Sequence, residues 1–117
     1  MSDCIFCRII NGEAPKSLVY EDDHVIAFDD IAPQAPVHTL IVPKRHVVNL
    51  SDDLDHELIS AVFAAVPKIA EIKGIAQSGY RVIVNNGRDA RQSVGHLHVH
   101  VLGGRDMLHG MVRFADE

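Results

Sequence analysis

The chain has 117 residues, of which 47% are hydrophobic and 23% are charged, and its formal net charge is −5 at pH 7. This length and composition predict a single globular domain over residues 1–117, and the acidic balance argues against a general nucleic-acid-binding protein, which usually has a basic face. No apolar run approaches the about 20 residues of a membrane span, and the N-terminus lacks the basic and apolar regions of a secretory signal, so we expect a cytoplasmic protein that does not bind membranes.

The first predicted elements are a short helix and three strands. The apolar-rich segment Ile5–Ile10 predicts one or two helical turns. Residues 17–21 and 25–28 have the pattern of two strands separated by an acidic turn. Residues 30–36 contain two prolines and predict a loop, whereas the β-branched apolar run 37–42, stopped by a proline, predicts a third strand.

A long amphipathic helix is predicted next. Ser51 is the expected N-cap, because acidic residues follow it and favour the positive end of a helix. Pro67 lies inside this segment and cannot donate a backbone hydrogen bond, so we expect a bend there and an end near Gly74. The apolar stripe recurs at spacings of three and four residues, at Leu54, Leu58, Val62, Ala65, Ile69 and Ile72.

The last third of the chain predicts two further strands around a polar loop. The strands are residues 80–86 and 95–102, and the loop is residues 87–93. The sequence thus predicts an α+β fold with a five-stranded, largely antiparallel sheet, one long helix and a short N-terminal helix, because the strands are connected as hairpins.

The last predicted strand carries a histidine at every second position, His96, His98 and His100, with aliphatic residues between them. Successive side chains of a strand point to opposite faces, so the three imidazoles share one face. We expect the long helix to cover the aliphatic face. The histidine face should look towards solvent or a cleft, because burying three unpartnered imidazoles is costly.

The residues alone leave three interpretations of this strand open. The histidines are ordinary surface residues, or His98 and His100 bind a metal, since His-x-His is a workable zinc chelate on a strand. In the third interpretation, one imidazole is a nucleophile at phosphorus, and its neighbours fix its tautomer, donate to phosphate oxygens and protonate a leaving group. Gln92 and Ser93 supply hydrogen bonds for this chemistry, and Asp30 is placed to accept from ribose hydroxyls.

The stretch from residue 92 to 104, QSVGHLHVHVLGG, resembles the signature of the histidine-triad (HIT) superfamily, in which three histidines alternate with apolar residues. Further segments resemble its histidine-triad nucleotide-binding branch in order and spacing. They are Ile5-Phe6, Tyr20-Glu21-Asp22, Ala27-Phe28, Asp30-Ile31, residues 33–36, His38, residues 42–46 and residues 79–85. The resemblance covers about residues 4–105 and implies the HIT-like fold.

The same resemblance implies a purine nucleotide-binding hydrolase that cleaves nucleoside 5′-phosphoramidates, of the AMP-amine or acyl-AMP type, through a nucleotidyl-histidine. His98 is implied as the nucleophile. His100 and Ser93 are implied to contact the phosphate. A hydrogen-bonded relay behind the nucleophile is implied for His38 and His96.

The resemblance also implies a set of nucleotide-binding residues. A purine pocket is formed by apolar side chains, Asp30 and Ile31 hold the ribose, and Asn85 lines the phosphate site. The branch commonly has a glycine at the position of Arg91, whose side chain here either adds a phosphate contact or crowds the substrate. The full implied set is Ile5, Phe6, Ile9, Phe28, Asp30, Ile31, Asn85, Arg91, Gln92, Ser93, His98 and His100.

Cys4 and Cys7 form a Cys-x-x-Cys pair, which is half of a zinc site that histidines would complete. Some members of the superfamily bind a structural zinc through a similar pair, and the resemblance implies His46 and His96 as the other two ligands. Two reduced buried thiols, or a redox pair, are the alternatives. We expect a structural zinc and no organic cofactor.

A homodimer is also implied by the resemblance, with the strand at residues 80–86 and the long helix as its interface. The expected partner is a purine nucleotide such as an AMP conjugate.

Two other functions stay open. One is a dinucleoside polyphosphate hydrolase or nucleotidyltransferase of a sister branch, and the other is a nucleotide-binding scaffold whose catalysis is incidental.

Overall fold

The computed structural model describes residues 3–112, so residues 1–2 and 113–117 of the predicted domain lie outside the described part of the chain. The elements in chain order are α1 (Ile5–Ile10), β1 (Tyr20–Glu21), β2 (Val25–Asp29), β3 (Val37–Pro43), α2 (His56–Ile72), β4 (Tyr80–Ile83) and β5 (Val99–Gly103). The strands form one sheet in the order β1-β2-β3-β5-β4, and every pairing is antiparallel. The predicted α+β fold class is confirmed.

The two faces of the sheet carry different layers, because side chains alternate along each strand. On one face α2 packs over a core that includes Val99 and Val101 of β5, as the aliphatic pattern predicted. On the other face α1 packs through Phe6 against β2 and β3. His100 pairs with Leu40 of β3, and paired residues point to the same face, so His100 lies on the α1 side of the sheet.

The long helix begins four residues later than Ser51 would have placed it. Asp55 is the N-cap, and its carboxylate accepts a hydrogen bond from the N–H of Leu58 at 2.8 Å. Ser51 instead lies in a loop, where its N–H donates to a neighbouring asparagine side chain at 2.9 Å. The prediction at Ser51 was wrong because the Asn and Asp side chains of this segment bond to loop N–H groups and compete with helix initiation.

The buried stripe of α2 is confirmed at its centre, where Leu58, Val62, Ala65 and Ile69 are all buried. Ile72, at the last position of the helix, is 56% exposed and does not belong to that stripe. Pro67 lies within the helix, and the bend expected there stays a prediction. Neither helix described in residues 3–112 has the length and apolar character that crossing a membrane requires.

The histidine strand begins at Val99 rather than at residue 95. Val99 pairs with Ile41 of β3, so continuing this register would set His98 opposite Val42 and then Leu97 opposite Pro43. Proline has no N–H to donate, and the carbonyl oxygen of Pro43 lies 2.8 Å from the ring nitrogen Nε2 of His96. Leu97 donates its N–H outside the sheet, to the carbonyl oxygen of Val47 at 2.7 Å.

The two edge strands are also shorter than predicted. β1 is reduced to Tyr20–Glu21, although the N–H of Val19 still donates to the carbonyl oxygen of Ala27 at 2.7 Å. β4 ends at Ile83, which pairs with His100. Because β5 starts only one residue before His100, later residues of the predicted strand have little of β5 left to pair with.

Candidate active site

A cavity of about 370 Å³, here called the triad cavity, lies between α1 and the sheet face that carries His100. The predicted site residues that line it are Ile5, Phe6, Ile9, Phe28, Asp30, Ile31, Ser93, His98 and His100. Three of the implied nucleotide-binding residues, Asn85, Arg91 and Gln92, are not among its lining residues. The structure therefore brings most of the predicted set to one place and leaves Asn85, Arg91 and Gln92 outside it.

His98 lies directly before β5 and is only 4% exposed, yet its ring lines the triad cavity. Its Nδ1 lies 2.8 Å from the backbone carbonyl oxygen of His96. A carbonyl oxygen only accepts hydrogen bonds, so in the neutral imidazole Nδ1 carries the proton and Nε2 keeps its lone pair. The ring of Phe6 packs edge-on against His98 at a centroid distance of 5.2 Å. The fold thus fixes both the orientation and the tautomer that a nucleophilic Nε2 requires.

A chain of hydrogen bonds fixes the tautomer of His100 as well. The N–H of Gln34 donates to Nδ1 of His38 at 3.0 Å, so the neutral ring of His38 carries its proton on Nε2. That Nε2 lies 2.8 Å from Nδ1 of His100 and donates to it. His100 consequently carries its own proton on Nε2.

The Nε2 of His100 is buried and has no hydrogen-bond partner among the described residues. His100 lines the triad cavity, so this N–H is a donor without an acceptor at the site. Burial, followed by the nearby rings of His98 and His38, lowers the pKa of His100 from 6.5 to about 4, although Asp30 opposes this shift. An unpaired buried donor is costly, and a phosphate oxygen in the cavity would satisfy it.

The structure corrects the predicted role of His96. Its ring is fully buried, with Nε2 donating to the carbonyl oxygen of Pro43 and Nδ1 lying 3.3 Å from Sγ of Cys4. The His96 ring is therefore not part of the relay behind His98. Only the backbone carbonyl oxygen of His96 contacts His98. The expectation that all three triad rings face solvent or a cleft was wrong for His96, because Pro43 and the cysteines supply the partners that burial requires.

A second group of side chains has the composition of a metal site. One donor atom each from Cys4, Cys7, His46 and His96 lies within 4.8 Å of the others. Sγ of Cys7 is 3.1 Å from Nδ1 of His46 and 3.6 Å from Nδ1 of His96. A tetrahedral zinc with bonds of about 2.3 Å to sulfur and about 2.05 Å to nitrogen separates those donors by about 3.6 Å.

The chemistry of His96 also suits a metal ligand. Its Nε2 proton is held by the Pro43 carbonyl, so Nδ1 is unprotonated where it faces the sulfur atoms. Burial, with smaller contributions from His46 and His98, lowers the pKa of His96 below its ordinary value, which favours the neutral ring that binds metal. The donor set and the tautomer fit zinc, and the 3.6 Å from Cys7 to His96 matches the tetrahedral spacing, whereas the 3.1 Å from Cys7 to His46 is shorter than it.

Asp30, His38 and His100 also place their donor atoms within 4.8 Å of one another. The nitrogens of His38 and His100 are 2.8 Å apart, which is a hydrogen-bond distance and shorter than the about 3.3 Å between two nitrogens on a tetrahedral zinc. Asp30 uses Oδ1 to accept from the N–H of Ala32 at 2.8 Å, and its Oδ2 lies 3.6 Å from Nε2 of His38. Its neighbour Ile31 is 91% exposed where it lines the cavity.

The loop before the triad is braced by Gln92. Its side-chain oxygen accepts from the N–H of Gly87 at 2.9 Å, and its Nε2 donates to the carbonyl oxygens of Val48 at 2.7 Å and Val94 at 2.9 Å. Gln92 is therefore a positioning residue. Arg91, on the same loop, is exposed and has a φ of +61°, a conformation that favours glycine.

Five lining residues were missed by sequence reasoning: Ala14, Pro15, Lys16, Leu40 and Val94. Leu40 was open to prediction, because it alternates with the α2-facing residues of β3 and so must point to the α1 side. Residues 14–16 follow α1 without any periodic pattern, and only the tertiary fold brings them to the triad cavity. The positively charged Lys16 is the chemically distinctive member of this group.

A family model and a relative of known name agree on the family of this chain. A model of the HIT domain family matches residues 11–107 of this chain. A purine nucleoside phosphoramidase of Escherichia coli strain K12 is 45% identical over 107 residues, which make up 90% of each protein. This chain belongs to the HIT domain family.

Solved HIT proteins have the same fold as this chain. A HIT family hydrolase from Clostridium thermocellum superposes with a TM-score of 0.90 and 44% identity, covering 96% of this chain and 99% of that one. A histidine triad protein from Clostridium difficile superposes with a TM-score of 0.88 and 47% identity, covering 95% and 98% of the two chains. The HIT family match includes His38 and the triad but begins after α1, so Cys4, Cys7 and the α1 side of the cavity lie outside the matched residues.

Proposed function

We propose that this protein hydrolyses purine nucleoside 5′-phosphoramidates, of the AMP-amine or acyl-AMP type, through a nucleotidyl intermediate on His98. The observation that carries the proposal is the tautomer of His98. With Nδ1 held by the His96 carbonyl, the lone pair of Nε2 is left for attack on phosphorus. The phosphoramidase named among the relatives supports the same substrate class.

The lining of the triad cavity supports a nucleotide as the ligand. The side chains of Ile5, Phe6, Ile9 and Phe28 form an apolar surface that suits a purine ring. Ser93 and the unpaired Nε2–H of His100 supply donors for phosphate oxygens. The Oδ2 of Asp30 is the acceptor proposed for the ribose hydroxyls, and the exposed Ile31 would lose solvent contact against a bound nucleoside.

In the proposed reaction, Nε2 of His98 forms a bond to the α-phosphorus while the bond from phosphorus to the substrate amine breaks. The amine leaves with a proton from Nε2 of protonated His100, whose pKa rises once the anionic phosphate lies beside it. In the second step water attacks phosphorus, its proton returns to His100, and the bond to His98 breaks. The nucleoside monophosphate is released, and both histidines return to their starting states.

Hydrolysis of a fluorogenic adenosine phosphoramidate tests this proposal. His98→Ala should lower kcat/KM by about 10³-fold or more, because it removes the nucleophile. His56→Ala is the matched control, since His56 is an exposed histidine that does not line the cavity. Mass spectrometry of quenched wild-type reactions should show one nucleotidyl group on the chain. Wild-type turnover no faster than that of His98→Ala would refute the enzymatic function.

We also propose that Cys4, Cys7, His46 and His96 bind a structural zinc, which would tie α1 to the chain just before β5. The support is the donor spacing and the unprotonated Nδ1 of His96 described above. Metal analysis of untagged protein should give about one zinc per chain, and Cys4→Ser should lose it. Zinc retained in full by Cys4→Ser would refute this ligand assignment.

A homodimer is the proposed assembly. Its support is the set of apolar side chains left exposed on edge strand β4 and on the outer face of α2, which are Ile59, Phe63, Tyr80 and Val82. Exposed apolar surface marks association sites where it is contiguous. Sedimentation velocity should give the mass of two chains, and Phe63→Glu should reduce it. A wild-type protein that sediments as one chain would refute the dimer.

A further inference from the structure

Lys16 occupies an unusual position for a basic residue. It lines the triad cavity and is half-buried, and among the described residues it is the only lysine or arginine that does so. Its ammonium group lies over the ring of Phe28, 5.5 Å from the ring centroid. Within residues 3–112 this group makes no hydrogen bond or ion pair with another side chain or with the backbone. The cavity therefore contains an ammonium group whose hydrogen-bonding capacity is unused by the protein.

The surroundings of Lys16 explain why it is not already paired. Asp29 is close enough to feel its charge, but the carboxylate of Asp29 accepts from Lys73 at 2.9 Å and from Thr39 at 2.8 Å. The Asp29 carboxylate is thus satisfied by other donors. The face of Phe28 attracts the ammonium only weakly, because water screens a cation that lies over an aromatic ring at a partly exposed site.

Ring contacts relate Lys16 to the catalytic end of the cavity. The ring of Phe28, under Lys16, contacts Phe6 at 5.7 Å between centroids, and Phe6 contacts His98 at 5.2 Å. Two aromatic rings therefore separate the ammonium group from the nucleophile along this path. With the phosphate of a nucleotide at His98, its purine would lie along the apolar side chains. The edge of the base that lies away from the sugar would then come within reach of the flexible Lys16 side chain.

We infer that Lys16 makes the site selective for purines with a carbonyl oxygen at position 6, by donating from Nζ to that oxygen and to N7. This inference rests on the proposed nucleotide binding. An ammonium group only donates hydrogen bonds. Guanine presents two acceptors at this edge, O6 and N7, and hypoxanthine has the same carbonyl oxygen, whereas adenine presents an amino donor at position 6 beside N7. Adenine thus offers Lys16 one acceptor and one repelling donor.

Calorimetric titration of the intact protein with GMP, IMP and AMP at pH 7 tests the inference. GMP and IMP should each bind about tenfold more tightly than AMP, since the bond to O6 is charge-assisted but partly exposed to water. IMP lacks the 2-amino group of guanine and so isolates the effect of O6. In Lys16→Met, which keeps an apolar side chain of similar length, the three affinities should become equal within about twofold. Lys16→Arg should keep the preference.

Lys68→Met is the matched control. Lys68 also lies over an aromatic ring, that of Tyr20 at 5.7 Å, but it does not line the triad cavity. This variant should keep the wild-type preference. Equal binding of the three nucleotides to the wild type, a preference that survives in Lys16→Met, or an equal loss of affinity for all three in that variant would each overturn the inference. Binding of none of them to the wild type would overturn the proposed nucleotide binding itself.

Discussion

Replacing His100 by asparagine should make the stability of this protein less sensitive to acid. Burial and the neighbouring rings of His98 and His38 lower the pKa of His100 from 6.5 to about 4 in the folded state. Because the folded-state pKa lies below the unfolded value, the unfolded chain binds more protons between these two pKa values. The contribution of neutral His100 to the free energy of unfolding is therefore fully present above pH 6.5 and is lost as the pH falls towards 4.

The magnitude follows from the size of this shift. At about 1.4 kcal/mol per pKa unit, protonation of His100 costs about 3 kcal/mol by pH 4 and about 2 kcal/mol by pH 5. Asparagine does not titrate, and its side-chain oxygen can still accept the hydrogen bond from His38. The free energy of unfolding of His100→Asn should thus fall by about 2 kcal/mol less than that of the wild type between pH 7.5 and pH 5.

Urea unfolding followed by circular dichroism at the two pH values measures this difference. The other groups with lowered pKa values, His96 among them, are present in both proteins, so their contributions cancel in the comparison. His56→Asn replaces an exposed histidine and should behave as the wild type does. An equal loss of stability in the wild type and in His100→Asn would show that His100 is not held neutral by burial, and the reasoning would fail.

Three further predictions concern the hydrogen bonds and the backbone around the site. Nitrogen-15 NMR at pH 7 should show an unprotonated Nε2 in His98 and an unprotonated Nδ1 in His38, and the opposite tautomer in His98 would contradict the assigned nucleophile. Arg91→Gly should be more stable to urea than Arg91→Ala by about 1 kcal/mol, because a positive φ strains residues with a Cβ, and equal stabilities would argue against that strain. Gln92→Ala should lower the free energy of unfolding by about 1–3 kcal/mol through three lost hydrogen bonds, and an unchanged thermal transition would show that the loop holds its shape without them.

Local sequence signals predicted the elements whose hydrogen bonds are local. The bounds of α1 were predicted correctly at Ile5–Ile10, and the buried centre of α2 followed from its apolar spacing. The start of α2 was not predictable in this way, because Ser51 and Asp55 are both good N-caps and only the loop bonds around Ser51 decide between them. The start of β5 depends on Pro43, a residue far away in the sequence that becomes its neighbour only in the sheet.

The site shows the same division between local pattern and tertiary context. Alternation along the strand placed His98 and His100 at one cavity, as expected. It could not show that the ring of His96 turns away towards Cys4 and Cys7, because that direction depends on the carbonyl of Pro43. The local sequence does not indicate that Lys16 lines the cavity, since its segment has no periodicity and its position depends on how α1 packs against the sheet.

The alternation of β5 ties folding and chemistry to a single register. A displacement of one residue would push Val99 and Val101 into the triad cavity and drive an imidazole into the aliphatic core beneath α2. Insertions or deletions in this strand should therefore abolish both properties together. Tolerated changes of chain length in related sequences should accumulate in the connecting loops, and nucleotide affinity should serve as a direct assay of correct strand alignment.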